Sequence, residues 1–221
     1  MNRTITHPTP PAANPAARVA PVRPLDLAAL VGAEGWGRLP AAVRRRFALA
    51  HATVVYEGRM DLQCSRIGRV FAALSCLFGG PLSTARAEGV ATRVRVSHDA
   101  CGGVVWARQF SRCSGSAARV VRSTKQCGPD GGLEEHTAGG LAMRLAVFEQ
   151  AGALVFESRG YFMAIGRWRL PVPAWLTPGT CRVEHRNLGA GRFVFALTMT
   201  HPHWGETFRQ TGIFQDPCAE E

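Results

Sequence analysis

Arg192-Phe193-Val194-Phe195-Ala196-Leu197-Thr198-Met199-Thr200-His201 carries the clearest strand signal of the chain. In an extended chain successive side chains point to opposite faces. Phe193, Phe195, Leu197, Met199 and His201 therefore share one face, and Val194, Ala196, Thr198 and Thr200 share the other. That is the signature of an antiparallel strand packed on one side and wetter on the other. Neighbouring runs repeat it. Leu141, Met143, Leu145 and Val147 lie opposite Arg144, Trp106, Arg108 and Phe110 share a face, and Leu154, Phe156 and Phe162 share one with Ser158 and Gly160.

By the same pattern, strands are expected at 52–63, 90–97, 103–112, 118–125, 133–137, 141–149, 154–163, 181–186, 192–201 and 207–214. Turn residues separate them, among them Asp99-Ala100-Cys101-Gly102, Gly128-Pro129-Asp130-Gly131 and Asn187-Leu188-Gly189-Ala190-Gly191. About ten strands at roughly ten-residue spacing predict a mainly β (α+β) fold, an antiparallel meander that closes or nearly closes into a barrel. Two short helices near the N-terminus, 41–50 after Pro40 and 66–78 after Ser65, pack on an end or edge, with a shorter helical piece at 26–31. The Pro/Ala-rich stretch 1–24 reads as a disordered tail, 25–216 as a single domain and 217–221 as a C-terminal tail. Between Trp168 and Trp175, Pro171 and Pro173 make Leu170–Leu176 a stiff connector, either a lid over a barrel mouth or a packed crossover.

The formal charge of +10 invites a nucleic-acid partner, but all except one of the 26 cationic side chains are arginine, spread along the chain; Lys125 is the sole lysine. Nucleic-acid binders gather their charge on one face with exposed aromatics. Arg44-Arg45-Arg46 is the one tight cluster and reads as a solvated helix face. Neither nucleic acid nor a membrane is expected as a partner. Seven cysteines, an odd number without a C-x-x-C pair, and no visible secretory signal point to free thiols in a reducing cytoplasm.

The inward faces carry polar residues that an apolar core does not need: Arg108, His185, His201 and Gln210. Arginine is almost never buried without a partner. Arg108 either grips the anionic head of a ligand between Trp106 and Phe110 or pairs with a carboxylate such as Glu149 or Glu157. His201-Pro202-His203 with His185 has the makings of a three-histidine metal site, but Pro202 ends the strand and no carboxylate or cysteine lies close in sequence, so no metal is expected. His201 is a general acid/base or a satisfied interior histidine, and Tyr56 a proton donor or a half-buried anchor. Arg108, His201 and Tyr56 are the candidate catalytic residues. Trp106, Phe110, His185, Gln210, Phe195 and Met199 are the candidate ligand contacts. Nucleotide loops, nucleophile elbows and other cofactor motifs are absent, so no cofactor is expected.

Several spaced segments resemble the DUF4166 domain, a bacterial domain of unknown function. They are Trp36…Leu39-Pro40-Ala41…Phe47, Tyr56-Glu57-Gly58-Arg59-Met60, Gly79-Gly80-Pro81, Trp106-Ala107-Arg108-Gln109-Phe110, Gly160-Tyr161-Phe162, Leu170–Leu176, and His201-Pro202-His203-Trp204-Gly205…Gln210-Thr211-Gly212-Ile213-Phe214. The likeness runs from about Trp36 to Asp216. It implies no catalytic residues. The resemblance implies that relatives often carry the domain behind a Rossmann-type dehydrogenase or a small thiol-disulfide oxidoreductase, whereas this chain is expected to carry the domain alone.

Two functions are therefore expected. One is a cytoplasmic barrel that binds a small, largely apolar ligand with an anionic or carbonyl group, extending to a cofactor-free isomerase or cyclase. The other is a non-catalytic accessory module that works with a separate oxidoreductase.

Overall fold

The computed structural model describes residues 24–48, 53–76, 82, 86–111 and 119–217. The expected terminal tails, the Gly79-Gly80-Pro81 helix stop and the starts of the strands at 52 and 118 lie outside the described residues.

Among the described residues eleven strands follow one another as β1 (Val54–Cys64), β2 (Ala87–His98), β3 (Val104–Phe110), β4 (Arg119–Cys127), β5 (Leu133–Thr137), β6 (Leu141–Gln150), β7 (Ala153–Ile165), β8 (Trp168–Val172), β9 (Thr180–Gly189), β10 (Arg192–His201) and β11 (Gly205–Gln215). Each pairs antiparallel with its neighbour in sequence except at two places. β7 pairs with β9 past β8, and β11 returns to β1. Ten strands thus form a closed barrel, and β8 hangs outside the ring on β7.

Closure depends on β7, which is long enough to serve two partners. Ala153–Glu157 pairs with β9, and Tyr161–Ile165 pairs with β8. The changeover is a bulge: Arg144 faces Gly160 and Leu145 faces Ser158, leaving Arg159 as the extra residue. Gly160 has φ 149°, a conformation that side chains beyond glycine rarely adopt. The extra residue exchanges the two faces. Leu154, Phe156 and Ser158 point inward before it, Tyr161 and Met163 after it. Strict alternation puts Phe162 inside with Phe156; the bulge turns it outward instead, where His136, Arg144 and Arg169 surround its ring.

Four helices accompany the described strands, α1 (Leu27–Val31), α2 (Ala33–Arg38), α3 (Ala41–Phe47) and α4 (Arg66–Cys76), and α1, α3 and α4 stand where the sequence places helical pieces. α2 is not expected from a stretch with Gly35 and Gly37, because glycine disfavours helix. Tertiary contact sustains it: Gly35 is buried close to Val31 and Glu149, and Arg38 bonds Glu149 (2.6 Å). The first three helices close one end of the barrel. Phe47 enters it, its ring 6.0 Å from Trp106, 5.9 Å from Phe156 and 4.8 Å from His185. Arg46 is not a solvated residue. It makes a two-pronged bond to Asp216 (2.6 and 2.7 Å), lies over the Phe193 ring, and its side chain is only 6% exposed. α4 packs at the other end, with Gly68 so close to the Thr207 carbonyl that a Cβ would sit 2.3 Å from it.

The expected connector at Leu170–Leu176 is half strand. Trp168–Val172 pairs with β7 as β8, an edge strand where Pro171 costs no ladder bond, and a single 3-10 turn, Ala174–Leu176, follows. No helix among the described residues is long and apolar enough to cross a membrane.

Candidate ligand site in the barrel

β3, β4 and β5 bring three charged side chains into the interior. Lys125 faces Glu135 directly across the β4–β5 ladder, and Nζ lies 3.0 Å from Oε2. Arg108 approaches the other carboxylate oxygen, Nη2 to Oε1 3.8 Å, and Ser123 Oγ, 3.5 Å. Side-chain exposures are 9% for Arg108, 7% for Lys125 and 8% for Glu135. Burial alone would raise the Glu135 carboxyl, but the charges of Lys125 and Arg108 and a hydrogen bond from Ser123 outweigh it and hold the group below its ordinary value. Glu135 is therefore ionised, and two buried cations share one buried anion. Aromatic faces supply part of the deficit: Lys125 Nζ lies 5.3 Å from the Trp106 centroid and Arg108 Cζ 5.6 Å from that of Phe195. Arg108 Nε has no protein partner among the described residues.

The chain thus supplies Arg108 with a carboxylate, though neither of those the strand pattern suggests. Glu149 bonds Arg38 and the Gly152 amide, and Glu157 binds Arg159 and Arg182. Both are engaged elsewhere. The signal for Glu135 was present: Glu134 and Glu135 are adjacent on one strand, so one of them must face inward. Glu134 takes the outer face, nearly fully buried between Arg169 and His136.

Two of the candidate catalytic residues, Tyr56 and Arg108, and three of the candidate ligand contacts, Trp106, His185 and Phe195, line one internal cavity. Its volume is only about 10 Å³, room for roughly one water molecule. His185 sits in an aromatic cage with Phe195 at 5.3 Å and Phe47 at 4.8 Å. Burial, reinforced by the charges of Lys125, Arg108 and Arg46, pulls its pKa from 6.5 down to about 3. It is a neutral packing group at neutral pH. The unfolded chain takes up this proton below about pH 6.5, whereas the folded chain does not until about pH 3, so stability falls as pH falls through that window. The expected loss is about 2 kcal/mol between pH 7 and pH 5. Denaturant melts across that range should show a slope that His185→Phe flattens; an unchanged slope would refute the assignment. Tyr56 is pushed to about 12 by burial and the Asp216 charge, against Arg46.

The remaining candidates lie apart. His201 is at the α4 end, stacked on Trp204 (4.3 Å) and Phe71 (5.8 Å). Its Nδ1 accepts the His203 amide at 3.1 Å, so in the neutral ring the proton is on Nε2, which is buried without a partner among the described residues. Phe110 and Gln210 are buried outside the cavities described here, with the Gln210 carbonyl oxygen unpaired among the described residues. Met199 alone reaches the larger space described next. Among the described residues no three His, Cys, Asp or Glu side chains gather as a metal site.

The larger space opens between α4 and the β8 segment. A cavity of about 280 Å³ is lined by Phe71 and Leu74 of α4, by Leu141, Tyr161 and Met163 of the wall, and by Leu170–Pro173 and Leu176–Pro178. It shares Ser75, Leu141, Tyr161 and Pro178 with an inner extension of about 60 Å³ that reaches Ser123, Glu135 and Met199. Tyr161 stands at the junction, its hydroxyl donating to the Gly179 carbonyl at 2.9 Å, and burial drives its pKa well above the ordinary value. The inward placement of Tyr161 comes from the β7 bulge, so alternation alone could not find it. The result is an apolar chamber with a few polar groups at its inner end, the usual design of a small-molecule site.

The chain has no match among curated proteins. The model of a family described as a domain of unknown function, DUF4166, matches residues 39–214. That span takes in every strand of the barrel, the charged trio and the chamber beside it, and the chain belongs to the DUF4166 family.

Proposed function

We propose that this barrel binds a small, largely apolar molecule carrying one anionic or carbonyl group. The body lies in the chamber between α4 and β8, and the polar head lies at the inner end of the extension beside Ser123, whose hydroxyl is 3.5 Å from Arg108 Nη2. The observation that carries the reading is the buried excess of positive charge behind that extension. Two cations with one carboxylate, and an Arg108 Nε without a partner among the described residues, form a site that a negative group would complete.

Binding is favoured over acid–base catalysis. A proton-transfer group works best with a pKa near the operating pH. Here Tyr56 is pushed to about 12, Tyr161 is raised well above its ordinary value, His185 is lowered to about 3 and Glu135 is held low. Each is moved away from neutrality.

The test uses 1-anilinonaphthalene-8-sulfonate, an apolar anion that fluoresces in dry pockets. Saturable binding of one probe per chain, displaced by decanoate, is expected. Leu141→Trp, which fills the chamber, should abolish it. Arg108→Met should weaken it about tenfold while leaving the fold intact, because the substitution removes the surplus cation. Unsaturable binding, or undiminished binding by Leu141→Trp, would overturn the proposal. Native mass spectrometry of protein purified from its source cells would then identify the natural occupant.

A further inference from the structure

The rim of the chamber is itself exposed and apolar. Leu74 (43%), Leu170 (51%) and Leu176 (44%) line the cavity and also face solvent. Beside them stand Ile165 (55%) and Trp168 (61%), paired across the tip of the β7–β8 hairpin, and Trp175 (63%) in the 3-10 turn. Scattered exposed apolar residues need no explanation, but a cluster of this size with two tryptophans around one opening does.

Charge says what covers it. Stretches 62–87 and 158–183, which supply α4 and the β7–β8–turn segment, contain no Asp or Glu at all. Their charged residues are Arg66, Arg69, Arg86, Arg159, Arg167, Arg169 and Arg182. Arg159, Arg169 and Arg182 are engaged with glutamates of the barrel wall. Arg66, Arg69 and Arg167 are exposed, with no ion pair among the described residues, and Arg167 lies 5.3 Å over the Trp168 ring. Arginine looks evenly spread along the sequence, yet the two stretches that form this rim carry arginine alone, and the glutamates beside them, Glu134 and Glu206, are engaged by Arg169 and Arg209.

We propose that the mouth of the barrel docks on an anionic lipid bilayer. Trp168, Trp175 and Ile165 enter the headgroup boundary, while Arg66, Arg69 and Arg167 meet lipid phosphates. Tryptophan is favoured at that depth because its ring is apolar and its N–H is wet, and each arginine near an anionic surface adds attraction. Two tryptophans, an apolar rim and unpaired arginines are what a bilayer takes and a folded acidic protein does not need. The proposal does not depend on the chamber holding a ligand.

The test is co-sedimentation with vesicles of phosphatidylcholine alone and of equimolar phosphatidylcholine and phosphatidylglycerol. The full chain should bind the anionic vesicles at low ionic strength, release as salt rises, and show a blue shift of tryptophan fluorescence. Trp168→Ser with Trp175→Ser should bind about tenfold more weakly, and Arg167→Glu about tenfold more weakly with a flatter salt dependence. Thermal melts check the fold, and 1-anilinonaphthalene-8-sulfonate binding without vesicles should be unchanged in both variants. Failure of the wild type to bind anionic vesicles, or wild-type binding by the tryptophan variant, would overturn the proposal. So would a soluble dimer that the tryptophan variant dissociates, which would make this face an interface between copies.

Discussion

Glu135→Leu should destabilise the barrel by about 3–5 kcal/mol, enough to unfold many domains of this size. The carboxylate is the sole anion that Lys125 and Arg108 share in the interior among the described residues. Its removal strands two cations where water cannot solvate them, and breaking a buried pair costs far more than the pair contributes when intact. Lys125→Met in the same chain should recover most of the loss, because Lys125 is the closer partner and its side-chain end already lies against the Trp106 and Phe156 rings, where a thioether packs well. Chemical denaturation of the two single variants and the double variant closes the cycle. Additive losses would show that the three groups are not one unit. The sign for Arg108 is the reverse: Arg108→Met leaves Lys125 and Glu135 matched, so a large loss there would show that Arg108 serves the fold and not a ligand.

Phe47→Ala should cost about 3–5 kcal/mol. The ring fills the closed end of the barrel against Trp106, Phe156 and His185, and α3 is too short to reshape around the gap. It should also admit water beside His185. Since burial is the main cause of the low His185 pKa, the value should climb from about 3 toward 6.5. A ring-proton NMR titration reads that shift separately from stability. A destabilised variant whose His185 still resists protonation would show that the charges of Lys125 and Arg108, not dryness, set the value.

Both predictions rest on groups that the sequence reveals unequally. Alternation in 192–201, 141–149 and 103–112 is enough to place most strands, because period-two patterning follows from backbone geometry alone. The same geometry puts Trp106, Arg108, His185 and Phe195 inside, and they do meet around one small cavity. Glu135 and Lys125 carry the same signal, in a Glu-Glu pair on a strand and the single lysine of an arginine-rich chain. Tyr161 carries none. Its inward direction depends on the bulge at Ser158–Gly160, which arises where β7 changes partner from β9 to β8, and no local pattern records that exchange.

The residue pattern is thus enough to give the buried faces of the strands outside the β7 bulge, their number of about ten, and the polar residues that intrude on the inner face. Which of those residues touch is a matter of how the strands are arranged in space. Strand tilt and closure bring together groups far apart in the chain, such as Arg108 with Glu135 and Arg46 with Asp216. Closure also left the chamber between α4 and β8, because β8 stays outside the ring and the shortest route from β7 to β9 does not fill the mouth. The question posed by Arg108 has accordingly become narrower: its carboxylate is Glu135, shared with Lys125, and the positive charge left over is what remains for a ligand to meet.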